Sequence, residues 1–132
     1  MSINVTPISK QVEDIATQVV DSAYSVRRSL GPGLLESAYE CCLEHELTKR
    51  GLQVQSQVGL PVFYDNIYLN VGHRIDLLVN NYIIIEVKAV DEIIPIHISQ
   101  LLTYLRFSGH RLGFVINFNS RSFKDGVKRV VR

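Results

Sequence analysis

Ile75-Asp76-Leu77-Leu78-Val79-Asn80-Asn81-Tyr82-Ile83-Ile84-Ile85-Glu86-Val87-Lys88-Ala89 is the stretch on which the fold turns. It holds two apolar runs of strand length, Arg74–Val79 and Tyr82–Val90, separated by the turn-forming pair Asn80-Asn81. The second run is the most apolar in the chain, which predicts a central strand covered on both faces. Asp76, Glu86 and Lys88 contradict that pattern, because an unpartnered charge is expensive to bury. Glu86 and Lys88, being i and i+2, project from one face of their strand. The plainest account of them is an ion pair where the sheet meets water. Asp76 shifts the balance if the runs form a hairpin. A two-residue loop pairs Asp76 with Ile85 and puts the two acids on opposite faces. A three-residue loop, Asn80-Asn81-Tyr82, pairs Val79 with Ile83 and sets Asp76 opposite Glu86, with Cβ atoms about 4.5–5.5 Å apart. Carboxylates that close repel and call for a cation between them. Carboxylate oxygens beside a backbone carbonyl are hard ligands, suited to Mg²⁺ or Mn²⁺. With a lysine to orient water or steady developing charge, they make an apparatus for phosphodiester hydrolysis.

Outward from this stretch the pattern is helical on one side. Val12, Ile15, Ala16, Val19, Val20, Ala23 and Val26 recur at i, i+3, i+4, i+7, predicting an amphipathic helix. Thr6-Pro7 or Ser9 can start it, and Gly31-Pro32-Gly33 stops it. A second helix is expected from about Leu34 to Arg50, with Leu34, Leu35, Ala38, Cys42, Leu43 and Leu47 on its apolar side. Gln53–Val58 then alternates polar and apolar residues, and Pro61–Tyr64 and Ile67–Val71 flank a turn at Asp65-Asn66. Ile98, Leu101, Leu102 and Leu105 return to helical spacing before Gly109. Leu112–Phe118 is a last strong strand ahead of a basic tail. Helices, a strand meander, then helix and strand predict an α/β or α+β sandwich around a mixed sheet.

The chain's 132 residues suffice for one domain, and no internal linker or repeat divides 1–132. With 46% hydrophobic and 20% charged residues the composition is that of a soluble globular protein. Apolar runs such as Ile83–Ile85 fall far short of the roughly 20 residues a membrane span needs, so no membrane partner is expected. The opening MSINVTPISK has no signal-peptide core. Cys41 and Cys42 are adjacent and cannot sensibly pair with each other. Reduced thiols in the cytoplasm are the simple reading. The net charge is only +1, but it is unevenly spread. Residues 106–132 carry Arg106, Arg111, Arg121, Lys124, Lys128, Arg129 and Arg132 against Asp125 alone, while the first 105 residues hold seven cations and twelve acids. A basic end on an acidic body suits a phosphate backbone, or simply a solvated face.

Asp76, a gap, then Glu86-Val87-Lys88 resembles the D…(D/E)xK signature of the PD-(D/E)xK nuclease superfamily. Further motifs sharpen the likeness. Gly33-Leu34-Leu35-Glu36-Ser37-Ala38-Tyr39 reads as GxxExxY, which names a family of small prokaryotic proteins in that superfamily. Gln100-Leu101-Leu102-Thr103-Tyr104 matches a QxxxY element found after the ExK strand in its exonuclease-like branch. Ile75 stands where the superfamily's name has proline, a position that often departs from it. The resemblance implies a restriction-endonuclease-like α/β core, a central mixed β-sheet flanked by helices. It implies a metal-dependent nuclease with DNA the expected nucleic acid, in which Glu36, Asp76, Glu86 and the Val87 carbonyl hold Mg²⁺ or Mn²⁺ and Lys88 acts on water or the transition state. Gln100 and Tyr104 would touch substrate.

Lys124, Lys128 and Arg129 are the expected contacts to the phosphate backbone. The small size leaves room for a homodimer or partner protein. His73, beside Arg74, reads as a surface residue, and His45, His97 and His110 are scattered. With the two cysteines they make no zinc spacing. No P-loop or GxGxxG is present, and no GxSxG. Three alternatives compete: a non-catalytic nucleic-acid-binding or interaction module that keeps the fold, a carboxylate-pair glycosidase, and a scaffold acting through its helices. Lys88 and the lack of tryptophan count against the glycosidase.

Overall fold

The structure, a computed structural model, describes residues 6–132. The first five residues, half of the stretch read for a leader, lie outside the described residues. Helix α1 (Lys10–Leu30) starts at Ser9, whose hydroxyl accepts the Val12 amide at 3.3 Å, and buries the predicted stripe from Val12 to Val26 except Val20, which is half-buried. It ends at Gly31, whose φ of 67° a side chain would resist. Helix α2 (Glu36–Lys49) begins two residues later than its pattern predicts. Leu34 and Leu35 stay exposed in the connecting turn, because Tyr39 takes over that turn's backbone: its hydroxyl donates to the Gly31 carbonyl and accepts the Leu34 amide.

The strands follow as β1 (Val54–Gly59), β2 (Val62–Tyr64), β3 (Ile67–Leu69), β4 (Arg74–Val79), β5 (Ile83–Lys88), β6 (Leu112–Asn117) and β7 (Val127–Val131), with helix α3 (Pro95–Ser108) between β5 and β6. β2 and β3 form a separate ribbon whose turn residues Asp65 and Asn66 both have positive φ. The other five strands make one sheet in the order β1-β4-β5-β6-β7, with only β5–β6 parallel. The basic tail is not free: after a short 3₁₀ turn (Lys124–Gly126) it supplies the edge strand β7.

β5 is central and buried from Ile83 to Val87. On one face Leu77, Val79, Ile83, Ile85 and Val87 pack with α1 and α2; on the other Ile75, Leu78, Ile84 and Val115 pack with α3. Each fully buried aliphatic side chain contributes about 1.5–3 kcal/mol. α3 rides close to the sheet at Gly113, where an added Cβ would meet Leu101 at 2.8 Å. Among the described residues no helix is long and apolar enough to cross a membrane.

Candidate metal centre

β4 and β5 pair as Val79↔Ile83, Leu78↔Ile84 and Leu77↔Ile85. This is the register of the three-residue loop, and one step further it would put Asp76 opposite Glu86. There the ladder stops. The Asp76 amide donates to Glu86 Oε2 at 2.9 Å, and the Val87 amide donates to Asp76 Oδ2 at 2.9 Å. Two side-chain carboxylates thus satisfy backbone donors that a continuing ladder would have paired. The other neighbour of Asp76 also skips a step: β1 pairs through Ser56↔Leu77 and Val58↔Ile75, and the intervening Gln57 has φ 53°. The alternation of β4 breaks here as well, since Ile75 packs on the α3 side while Leu77 and Val79 pack on the other. Asp76 therefore sits in a gap between splayed strands, open to groups from both layers.

Glu86 is the most constrained group in the gap. Only 4% exposed, its carboxyl is pushed up to about 8, first by burial and then by the Asp76 charge. The Asp76 amide and the Lys88 charge pull the other way without offsetting this. The N–H and C=O of one strand residue point to the same neighbour, so the Val87 carbonyl faces the same gap as its amide. Lys88 is half-buried beside Glu86, and its carbonyl accepts the Phe118 amide at 2.9 Å. Asn117 fastens the loop after β5 by bonding both the N–H and the C=O of Val90.

From α2 the acid engaged with Asp76 is Glu40, which the motif reading does not single out. Gln57 Nε2 donates to both Glu40 oxygens, at 3.1 and 2.9 Å, and reaches Asp76 Oδ1 at 3.4 Å. Burial, then the charges of Asp76 and Glu36, raise the Glu40 carboxyl, although Gln57 works against them. Glu36 lies one turn earlier, exposed at the helix start. From the other layer Gln100 donates to the Tyr104 hydroxyl at 3.2 Å. Burial and then the Glu86 charge raise the Tyr104 hydroxyl, which places it within the field of the gap. His73 meets the Tyr104 ring edge-on at 6.3 Å.

The predicted phosphate contacts do not form one patch. Lys128 and Arg129 are consecutive on β7 and face opposite sides. Arg129 is held by Glu13 of α1 at 2.5 Å. Lys128 lines a hollow with Arg121 and the acids Asp91, Glu92 and Asp125, and Lys124 is exposed in the short 3₁₀ turn before β7. Arg111 and Arg132 lie at the far end of the sheet from the gap.

Among the described residues no three His, Cys, Asp or Glu side chains gather closely enough to hold a metal by themselves. Two carboxylates with a facing carbonyl still fit a hard divalent cation, which ordinarily keeps several waters and takes only one or two protein carboxylates. A buried carboxyl driven toward protonation is also what a cation would relieve. A family model described as the PD-(D/E)XK nuclease superfamily matches residues 13–130. No curated protein and no solved structure matches the chain.

Proposed function

The chain belongs to the PD-(D/E)XK nuclease superfamily, and its five-stranded mixed sheet between helices is the restriction-endonuclease-like arrangement. We propose that it is a metal-dependent nuclease hydrolysing phosphodiester bonds in nucleic acid, DNA in the first instance, and that it falls within the GxxExxY group. The observation that carries this reading is the crossed pair of bonds between Asp76 and Glu86 where β4 and β5 part. It fastens each carboxylate to the opposite strand through one oxygen, Asp76 Oδ2 and Glu86 Oε2. Asp76, Glu86 and the Val87 carbonyl would hold Mg²⁺ or Mn²⁺. When bound, that ion would supply Lewis acidity toward the phosphate and lower the pKa of a coordinated water.

Lys88, half-buried on the same strand face as Glu86, would orient the attacking water and steady the charge that develops on phosphate oxygens. Gln100 and Tyr104, joined across one turn of α3, would meet substrate on the other side. The GxxExxY motif divides its roles in this reading. Tyr39 builds the turn by gripping Gly31 and Leu34, and also stacks on Phe118 at 4.8 Å. Glu36 would reach the site through water or substrate, while Glu40 is the acid tied to Asp76. Of the predicted phosphate contacts, Lys124 and Lys128 would serve that role. Arg129, committed to Glu13, would serve it less. Cys41 and Cys42 are free, which suits a reducing, cytoplasmic setting.

The test is cleavage of single-stranded, double-stranded and branched DNA and RNA with and without Mg²⁺ or Mn²⁺. Metal-dependent products from the wild type and none from Lys88→Ala support the reading. Metal-dependent binding without products, in both proteins, would assign the chain to the non-catalytic alternative.

A further inference from the structure

The connection from β1 to β4 does not turn tightly. It extends into the β2–β3 ribbon, which belongs to no larger sheet. Phe63, Tyr64, Ile67, Tyr68 and Leu69 on the ribbon and Val71 just beyond it are between 37 and 73% exposed. Phe63 opposes Tyr68 on one face, their rings edge-on at 5.0 Å, and Tyr64, Ile67, Val62 and Leu69 share the other. Neither face packs into the two buried core clusters. An isolated two-stranded ribbon is at best marginally stable in water and ordinarily gains a third strand or a covered face.

We propose that this ribbon is a self-association surface, through which two copies of the chain pair as a symmetric dimer. Charge is the first argument. Between residues 60 and 72 the only charged residue is Asp65. Depletion of charge with enrichment in tyrosine and phenylalanine is the composition of a protein interface core. A nucleic-acid surface is instead strongly positive. Backbone geometry is the second. The Tyr64↔Ile67 pair closes the two-residue turn, so alternation leaves the amide and carbonyl of Phe63 and of Tyr68 pointing outward on the two free edges. A second copy presents the same edge in the antiparallel sense that a two-fold axis requires. Area is the third. Taking about 200 Å² for a fully exposed aromatic side chain, the six residues expose roughly 600–700 Å². That area is spread over both faces of the ribbon, and two copies whose ribbons cover each other's edges and faces reach the lower bound of a stable interface, about 1,200 Å² in total.

The proposal is independent of the catalytic reading, and so is its test, which reads mass. The full chain is sedimented to equilibrium across roughly 1–100 μM, the range suited to a weak interface near the lower size bound. The wild type should rise from monomer to twice the monomer mass. Tyr64→Lys with Ile67→Lys should weaken dimerisation about tenfold or more, since both side chains are exposed in the monomer and edge lysines block strand pairing. If that variant melts lower than wild type, Val71→Lys carries the same expectation from outside the ladder. Leu35→Lys, an equally exposed apolar site off the ribbon, should change nothing. A wild type that stays monomeric throughout, or a dimer indifferent to the ribbon variants, overturns the proposal. A monomeric wild type whose single-stranded oligonucleotide binding is lost with the ribbon residues overturns it too, and gives the ribbon to base stacking.

Discussion

At its closed end the β4–β5 pair is a regular antiparallel ladder in which Leu77, Leu78 and Val79 face Ile83, Ile84 and Ile85, all buried. One residue beyond it, at the open end, the ladder is gone, and Asp76 and Glu86 each accept an amide from the opposite strand. The two ends share a backbone and differ in what satisfies it. The closed end places no charge in the core and stabilises the fold. The open end keeps a nearly buried carboxyl beside a second one, an arrangement that costs stability until a positive charge joins it. On the proposed function, stability and chemistry are separated by a few residues of the same hairpin, and substitutions should fall into two distinct classes.

The largest effect is expected at the open end, on catalysis alone. Lys88→Ala and Asp76→Asn should lower metal-dependent cleavage by about 10³-fold, the size of losing a preorganised transition-state partner. The melting temperature of the metal-free protein should hold for Lys88→Ala and rise for Asp76→Asn, which removes the repulsion with Glu86. At the closed end Leu77→Ala should do the reverse. Its cavity should destabilise the fold by about 2–5 kcal/mol in denaturant unfolding, with metal response per folded molecule intact. A Leu77→Ala protein that keeps its stability but loses the metal response would erase the distinction between the ends.

A third expectation concerns pH. Folding raises the Glu86 carboxyl from 4.5 to about 8, so the folded state binds a proton that the unfolded state has released. The stability tied to this proton is fully present below 4.5 and is lost as pH rises through 8. Between pH 6 and 8 the metal-free protein should lose roughly 2 kcal/mol, and Glu86→Gln should flatten that slope. An unchanged slope in Glu86→Gln would place the titrating group elsewhere. The smallest effect belongs to Gln57. Gln57→Ala removes a donor that holds Glu40 down, so the Glu40 carboxyl should titrate higher by carboxylate-detected NMR, at a stability cost of about 1 kcal/mol.

Much of this was legible in the sequence because it is local. Apolar runs on either side of Asn80-Asn81 mark β4 and β5, the sequence offers the two-residue and three-residue loops and the observed register is the three-residue one, and helical spacing with glycine stops marks α1 and the end of α3. The start of α2 departs from its apolar pattern, which includes Leu34 and Leu35, because the competing bonds come from Tyr39 to the turn. Glu40 has no motif signal for a similar reason. Glu36 and Glu40 are i and i+4 on one helix, and only the left-handed Gln57 on β1 decides which of them is tied to Asp76. The basic tail read as one charged run, yet β7 turns alternate residues to opposite faces. The Glu13 that claims Arg129 is 116 residues away in the chain, beyond any spacing rule.

The open end is tested most directly by the thermal shift that Mn²⁺ produces in the wild type and in Asp76→Asn at pH 7.5. A ligand that binds only the folded state at a hundred times its dissociation constant stabilises it by about 2.7 kcal/mol, a shift of several degrees for a chain of this length. The wild type should show that rise and Asp76→Asn should lose most of it. An equal rise in both proteins would put the ion elsewhere and contradict the assignment of the gap between β4 and β5 as the metal centre.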